Sequence, residues 1–264
     1  LLGSTTGANT LLGGAGDDTI NGGGGADRAL GGDGNDYIYA VLGTDIAIGG
    51  SGNDTLDTTA WSGSYQVNLQ TGTTNFTGES YTEFEAVISG NGNDSILDNS
   101  AANLLVGGSG DDTLRGGNGG ADTLDGGAGN DYIIDTFNTR IGIGGAGSDT
   151  LDRSARSSVS FLMDLQTGLT TGMSDETFAG FEAVLSGAGF DTLIGTDGDN
   201  FMHGGNGNDS IRGSTGADTL MGGAGDDTLV GDGTTDMING GTGEDVILSG
   251  AADLASILAL FNTP

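Results

Sequence analysis

Aspartates recur at a fixed phase along this chain, each two residues after a glycine and two before an apolar residue. The unit is Gly-Gly-x-Gly-x-Asp-x-Φ-x, with Φ apolar. It reads GGAGDDTIN at 13–21, GGSGNDTLD at 49–57, GGSGDDTLR at 107–115, GGAGSDTLD at 144–152, GGNGNDSIR at 204–212 and GGAGDDTLV at 222–230. The Asp at position six is a hard oxygen donor beside carbonyls exposed by a turn, a donor set suited to Ca²⁺. Glycines at positions one, two and four are expected to turn the backbone with φ > 0. The apolar residue at position eight needs a core. One short unit thus encodes a turn, a metal ligand and a brief strand.

Composition limits what can position these units. Of 264 residues 34% are apolar and 56 are glycine, too little for a thick globular core. A solenoid needs only a few inward side chains per rung. Low hydrophobicity with a net charge of −31 would by itself predict disorder, which the regular period overrides if something neutralises the charge. The 37 acidic residues face six arginines and no lysine, so nucleic acid and anionic membranes are poor partners and cations good ones. There is no cysteine for disulfides and no apolar run long enough to span a membrane. The chain does not begin with Met or a signal peptide, and is expected to be processed or a segment of a longer protein.

Laid along the chain, the nine-residue period gives six segments: a repeat block at 1–57, an irregular segment at 58–88, a block at 89–152, a second irregular segment at 153–185, a block at 186–248, and a tail at 249–264. The irregular segments are duplicates, with VNLQTG at 67–72 against MDLQTG at 163–168 and FEAVISG at 84–90 against FEAVLSG at 181–187. Alternating Val67 and Leu69, then Phe84 and Val87, suggest strands. Both segments are expected to be distorted rungs with longer loops; an independent insert is the competing reading. The position-eight residues, among them Ile20, Leu56, Leu114, Leu151, Ile211, Ile238 and Ile247, are expected to be core. Leu254, Ile257, Leu258 and Phe261 have helical spacing, expected to cap the last rung.

This nonapeptide resembles the RTX (repeats-in-toxin) hemolysin-type calcium-binding family. The resemblance implies an all-β fold, a parallel β-roll or β-helix solenoid of stacked repeats, with two nonapeptides per turn and Ca²⁺ as cofactor. It also implies a bacterial protein exported through a type I channel, unfolded inside and folding outside, and the tail as a possible export-signal remnant. Two nonapeptides per turn divide the position-six residues into two sets. One holds Asp18, Asp36 and Asp54, then Asp94, Asp112, Asp131 and Asp149, then Asp191, Asp209, Asp227 and Asp245, nearly all with full glycines. The other holds Asn9, Asp27 and Asp45, then Asn103, Asp122 and Arg140, then Asn200, Asp218 and Asp236, with patchy glycines. One calcium edge should therefore be strong and one weak.

The expected carbonyl ligands are those of Gly14, Gly16, Gly32, Gly34, Gly50 and Gly52 in the first block. In the second they are Gly108, Gly110, Gly127, Gly129, Gly145 and Gly147, and in the third Gly205, Gly207, Gly223, Gly225, Gly241 and Gly243. About eight to ten Ca²⁺ would offset about 16 to 20 of the excess charges. Arg140 could replace a calcium with its guanidinium, while Asp17, Asp111, Asp226 and Glu244 at position five are expected to face water. If the helix phase survives both irregular segments the strong edge is one ladder; otherwise it switches sides.

Catalysis finds little support. His203 is the only histidine and falls at an outward position, thiol and amine nucleophiles are missing, and the G-x-G strings lack the ending of a phosphate loop. The chain is read as no enzyme. Two functions compete: a secreted calcium-loaded structural protein that self-assembles into a filament, surface layer or adhesive stalk, or the secretion and folding module of a larger enzyme or toxin. Carbohydrate binding through Trp61, Tyr65 and Tyr81 is a third reading.

Overall fold

The computed structural model describes residues 1–40, 43–136, 139–156, 159–171, 176–232 and 235–250. The chain divides into two compact units, Leu1–Gly147 and Ser148–Pro264. Both are β-solenoids of short parallel strands, and the described residues contain no helix. Among the described residues there is therefore no helix long and apolar enough to cross a membrane. The tail expected to cap the last rung lies, from residue 251 onward, outside the described residues.

Strand partners stand one turn apart, and that turn is two nonapeptides. Thr10 pairs with Arg28 and Arg28 with Ile46, while Ile20 pairs with Ile38 and Ile38 with Leu56. Position eight points inward at every turn, as period-two strands over a thin core require. In the first unit Ile20, Ile38, Leu56, Val87, Leu105 and Leu124 stack in register and are 0–1% exposed. In the second, Leu151, Val184, Met202 and Leu220 do the same. Each such side chain contributes roughly 1.5–3 kcal/mol by leaving water. Ile238 and Ile247 depart from the expectation: Ile238 is half-buried and Ile247 46% exposed. Stacking buries a residue from both sides, and their strands have a described neighbour on one side only.

The irregular segments are longer turns of the same solenoid. Thr55–Asp57 pairs with Ala86–Ile88, which pairs with Leu104–Ser109, all parallel. This turn spends 31 residues where a regular one spends 18. The excess includes the antiparallel pair of Gln66–Asn68 with Thr73–Thr74; Leu162–Asp164 with Leu169–Thr171 repeats it in the second unit. Of the candidate sugar-binding aromatics, Tyr65 and Tyr81 are buried at 1% and 0%, and Trp61 stacks on Tyr65 and Phe76. They fill the wider turn and offer no lateral binding face.

The inserted hairpin shifts the phase by half a turn. In the first block the strands that follow Asp18, Asp36 and Asp54 form one sheet. Beyond Ala86–Ile88 that sheet continues with the strands that follow Asn103 and Asp122. The strands after Asp94, Asp112 and Asp131 form the sheet opposite. The well-formed edge therefore changes sides across 58–88. The second unit repeats the exchange, since Thr150–Asp152 after Asp149 continues through Ala183–Leu185 into Phe201–Asn206 after Asn200.

Candidate calcium ladders

Position six of each repeat is held from the turn before it. The backbone N–H of Asp18 donates to Oδ1 of Asp36 at 2.8 Å and that of Asp36 to Oδ1 of Asp54 at 2.7 Å. The same bond links Asp94 to Asp112 and Asp112 to Asp131, then Asp191 to Asp209, Asp209 to Asp227 and Asp227 to Asp245, at 2.7–3.0 Å. On the patchy edge it links Asn9 to Asp27, Asp27 to Asp45, Asn103 to Asp122, Asn200 to Asp218 and Asp218 to Asp236. One carboxylate oxygen is thereby committed to the fold. The other, Oδ2, is buried without a hydrogen-bond partner in Asp27, Asp36, Asp54, Asp112, Asp122, Asp209, Asp218 and Asp227. A buried charged oxygen without a partner is costly, and its recurrence at one phase marks a place for a cation.

The glycines explain where that oxygen points. On the well-formed edge positions two and four have φ between about +100° and +150° (108° at Gly14, 148° at Gly52), as expected. Position one lies outside the left-handed region, against expectation, and its glycine serves another purpose. A Cβ on Gly204 would stand 2.3 Å from Oδ2 of Asp209 and 2.7 Å from the carbonyl oxygen of Gly222. On Gly222 it would meet Asp227 Oδ2 at 2.3 Å and Gly240 O at 2.4 Å. The first glycine keeps open the space shared by a carboxylate and the carbonyl of the next turn. The carbonyls of positions two and four lie against their counterparts one turn on, with Gly14 O 2.1 Å from where a Cβ of Gly32 would be.

These hard oxygens in a cradle closed to side chains suit Ca²⁺. Among the described residues no three acidic or histidine side chains gather as a metal cluster, so a cation here would rest on stacked carboxylates and carbonyls together. Burial raises Asp112 to about 7, opposed by the N–H of Asp94 and reinforced by the charges of Asp94 and Asp131. Burial likewise raises Asp209 to about 6, with Asp191 and Asp227 adding to it. Asp45 rises to about 6 for the same first reason.

Several participants escape the repeat rule. Glu85 accepts the N–H of Asp54 at 2.9 Å on Oε2, and its carbonyl accepts Asn103 Nδ2 at 3.1 Å. Glu182 does the same for Asp149 and Asn200, at 2.9 and 3.2 Å. The duplicated Phe-Glu-Ala-Val carried that signal. Ser89 and Ser186 replace the first glycine, and their hydroxyls donate to Oδ2 of Asp94 and Asp191, so the first carboxylate of two ladders is already satisfied. Arg140 is exposed and does not stand in for a calcium: the register runs Asp122 to Thr139 and then Thr123 to Ile141, which leaves Arg140 as the extra residue of a bulge. Asp17, Asp111, Asp226 and Glu244 face water as expected. Asp17, Asp111 and Asp226 accept the N–H of position five one turn later, as Asn35 does, so that bond needs an acceptor and no charge. His203 is half-buried on Phe201–Asn206.

The RTX calcium-binding nonapeptide repeat is matched at residues 4–38, 39–60, 88–120, 117–134, 185–220 and 212–247. The unmatched stretches include most of both irregular turns. A comparison with curated proteins finds no match. With more than half its length matched and two nonapeptides in each turn, the chain belongs to the RTX calcium-binding nonapeptide-repeat family.

Proposed function

We propose that the chain is a secreted structural protein whose fold is completed by calcium outside the cell. The observation that carries this reading is the recurrence of buried Oδ2 atoms without partners at position six, beside glycines that admit no side chain. Without metal these stacked carboxylates repel, and a core of a few residues per turn does not offset the ordering entropy. With metal, each site adds binding free energy to the folded state alone. At submicromolar calcium the chain is disordered, and at extracellular millimolar calcium it folds, with about eight to ten ions bound at full occupancy. The first-listed edge residues, from Asp18 to Asp54, Asp94 to Asp149 and Asp191 to Asp245, hold most of them, with the carbonyls of the stacked glycines. Asp27, Asp45, Asp122, Asp218 and Asp236 hold the rest.

The product is a self-assembling element of a filament, surface layer or adhesive stalk. Inward positions are taken up by stacking, and the outward surface is acidic, so calcium can bridge copies. Circular dichroism with and without EGTA tests the folding step, and a strand signal indifferent to chelator would sink it. Electron microscopy in calcium tests assembly. Strictly monomeric particles at every concentration would favour a folding module of a larger secreted protein instead.

A further inference from the structure

In the first unit the patchy edge departs from the repeat in a way that gathers oxygens. Position one, which in most repeats is glycine and elsewhere serine or alanine, is Asp98 in the repeat at 98–106 and Asp135 in the repeat at 135–143. Between them the chain carries an additional glycine, Gly116, and the turn lengthens to 19 residues. The space thus opened is filled from several sides. A Cβ on Gly117 would stand 2.1 Å from Asp98 Oδ1, and one on Gly116 would stand 2.8 Å from Thr139 Oγ1 and 3.6 Å from Asp122 Oδ2. Thr136 Oγ1 fixes the Gly116 and Gly117 carbonyls at 2.7 and 2.6 Å.

These groups are buried. Asp98 is 1% exposed, Asp122 0% and Thr139 1%. Both carboxylate oxygens of Asp98, Oδ2 of Asp122 and Oγ1 of Thr139 lack a well-formed hydrogen bond; the Gly117 N–H approaches Asp98, and the Asp98 and Asp122 carboxyls lie against each other. Asp135, also fully buried, adds its charge beside Asp122. A cavity of ≈ 200 Å³ lined by Asp98, Arg115, Gly116, Gly117 and Thr136 reaches the group from solvent, and Arg115 itself is exposed. The second unit shows the contrast, because its corresponding edge has glycine at 195, 213 and 231 and keeps Asp218 and Asp236 at position six. The first unit instead carries two acids, Asp98 and Asp135, at position one of this edge.

We propose that Asp98, with Asp122 drawn from the position-six ladder and Thr139 Oγ1, forms a divalent-cation site built around an acid at position one. Two carboxylates and neutral oxygens are a hard donor set for Ca²⁺, and a cation there neutralises buried acidic charge. The choice of Ca²⁺ rests on the calcium reading above; the existence of the site rests on the buried oxygens.

The test is native mass spectrometry of the whole chain in calcium alone, comparing wild type with Asp98→Asn. The expected result is one ion fewer in the variant, with an unchanged strand signal in circular dichroism. Equal, non-zero counts overturn the site and leave the ladders standing, as they would if Asp98 and Asp122 share a proton. No calcium on the wild type overturns the ladder reading as well. Should Asp98→Asn fail to fold, Asp98→Gly decides, because glycine is the residue the second unit carries at 195. An undiminished ion count in that variant refutes the proposal.

Discussion

The backbone N–H of Asp209 donates to Oδ1 of Asp227 across 2.8 Å, while Oδ2 of Asp227 remains buried and unpaired. One carboxylate thus serves the fold with one oxygen and leaves the other for the cation proposed above. Asp209 is itself the acceptor for Asp191, so its side chain stands in the middle of a ladder. Asp209→Ala is expected to lower calcium affinity, with at least one ion lost at matched concentration in calorimetric titration. Asn200→Ala, on the other edge, should leave the ion count unchanged. Its cost is the loss of the bond from Nδ2 to Glu182 O, about 1–3 kcal/mol of stability in chemical denaturation.

The first glycine offers a test of space without backbone strain. Gly204 lies outside the left-handed region, yet a methyl there collides with Asp209 Oδ2 at 2.3 Å. Gly204→Ala is expected to displace that carboxylate, remove the local site and destabilise the unit by about 1–3 kcal/mol in calcium. Retention of wild-type affinity would mean that Oδ2 is not the ligand.

Serine shows the reverse. The Ser89 hydroxyl occupies Asp94 Oδ2, and Ser186 treats Asp191 alike. Ser89→Gly restores the repeat and frees the oxygen. The variant should bind calcium more tightly or in greater number, because the oxygen that the serine hydroxyl satisfied is left for the ion. Equal titration curves would count against this reading.

Acid should act in opposite directions with and without metal. In the metal-free fold, burial raises Asp112 to about 7 and Asp209 to about 6, above the ordinary carboxylate value near 4. The folded state then holds protons that the unfolded state releases. This contribution to stability is complete below about pH 4 and is lost as the pH rises through 6 to 7. In EGTA, strand content should therefore be higher at pH 5 than at pH 8. In calcium the same protons compete with the ion, so affinity should fall toward pH 5. Circular dichroism at both pH values checks each limb, and an EGTA-treated chain insensitive to pH would contradict it.

The second irregular turn is held by charge that calcium does not supply. Arg153 and Arg156, both buried, pair with Glu176 at 2.9 and 3.0 Å, and the Arg153 guanidinium lies 4.3 Å from the Phe161 ring centre. In the first unit the corresponding Glu79 is met by Tyr65 and Thr74 hydroxyls. Arg153→Ala should destabilise the second unit by about 3–5 kcal/mol in saturating calcium without altering the ion count. Denaturation and titration of one sample separate the two effects.

The nonapeptide alone determined the short strands, the inward residues such as Ile20 and Leu220 and the aspartates at position six; the two unequal edges followed once the family resemblance set two nonapeptides to a turn. Those features depend on neighbours within nine residues, and φ > 0 at Gly14 or Gly16 is a local matter. What only the tertiary structure decided depends on contacts between turns. The hairpin at Gln66–Asn68 moves the good edge across the solenoid because strand pairing joins Leu56 to Val87, a register no repeat count supplies. Gly204 is glycine because of an aspartate five residues on and a carbonyl one turn away, and Arg140 slips out of line because a bulge seats Thr139 opposite Asp122. Local geometry is written in each repeat; the stacking of one repeat on another assigns each oxygen its partner.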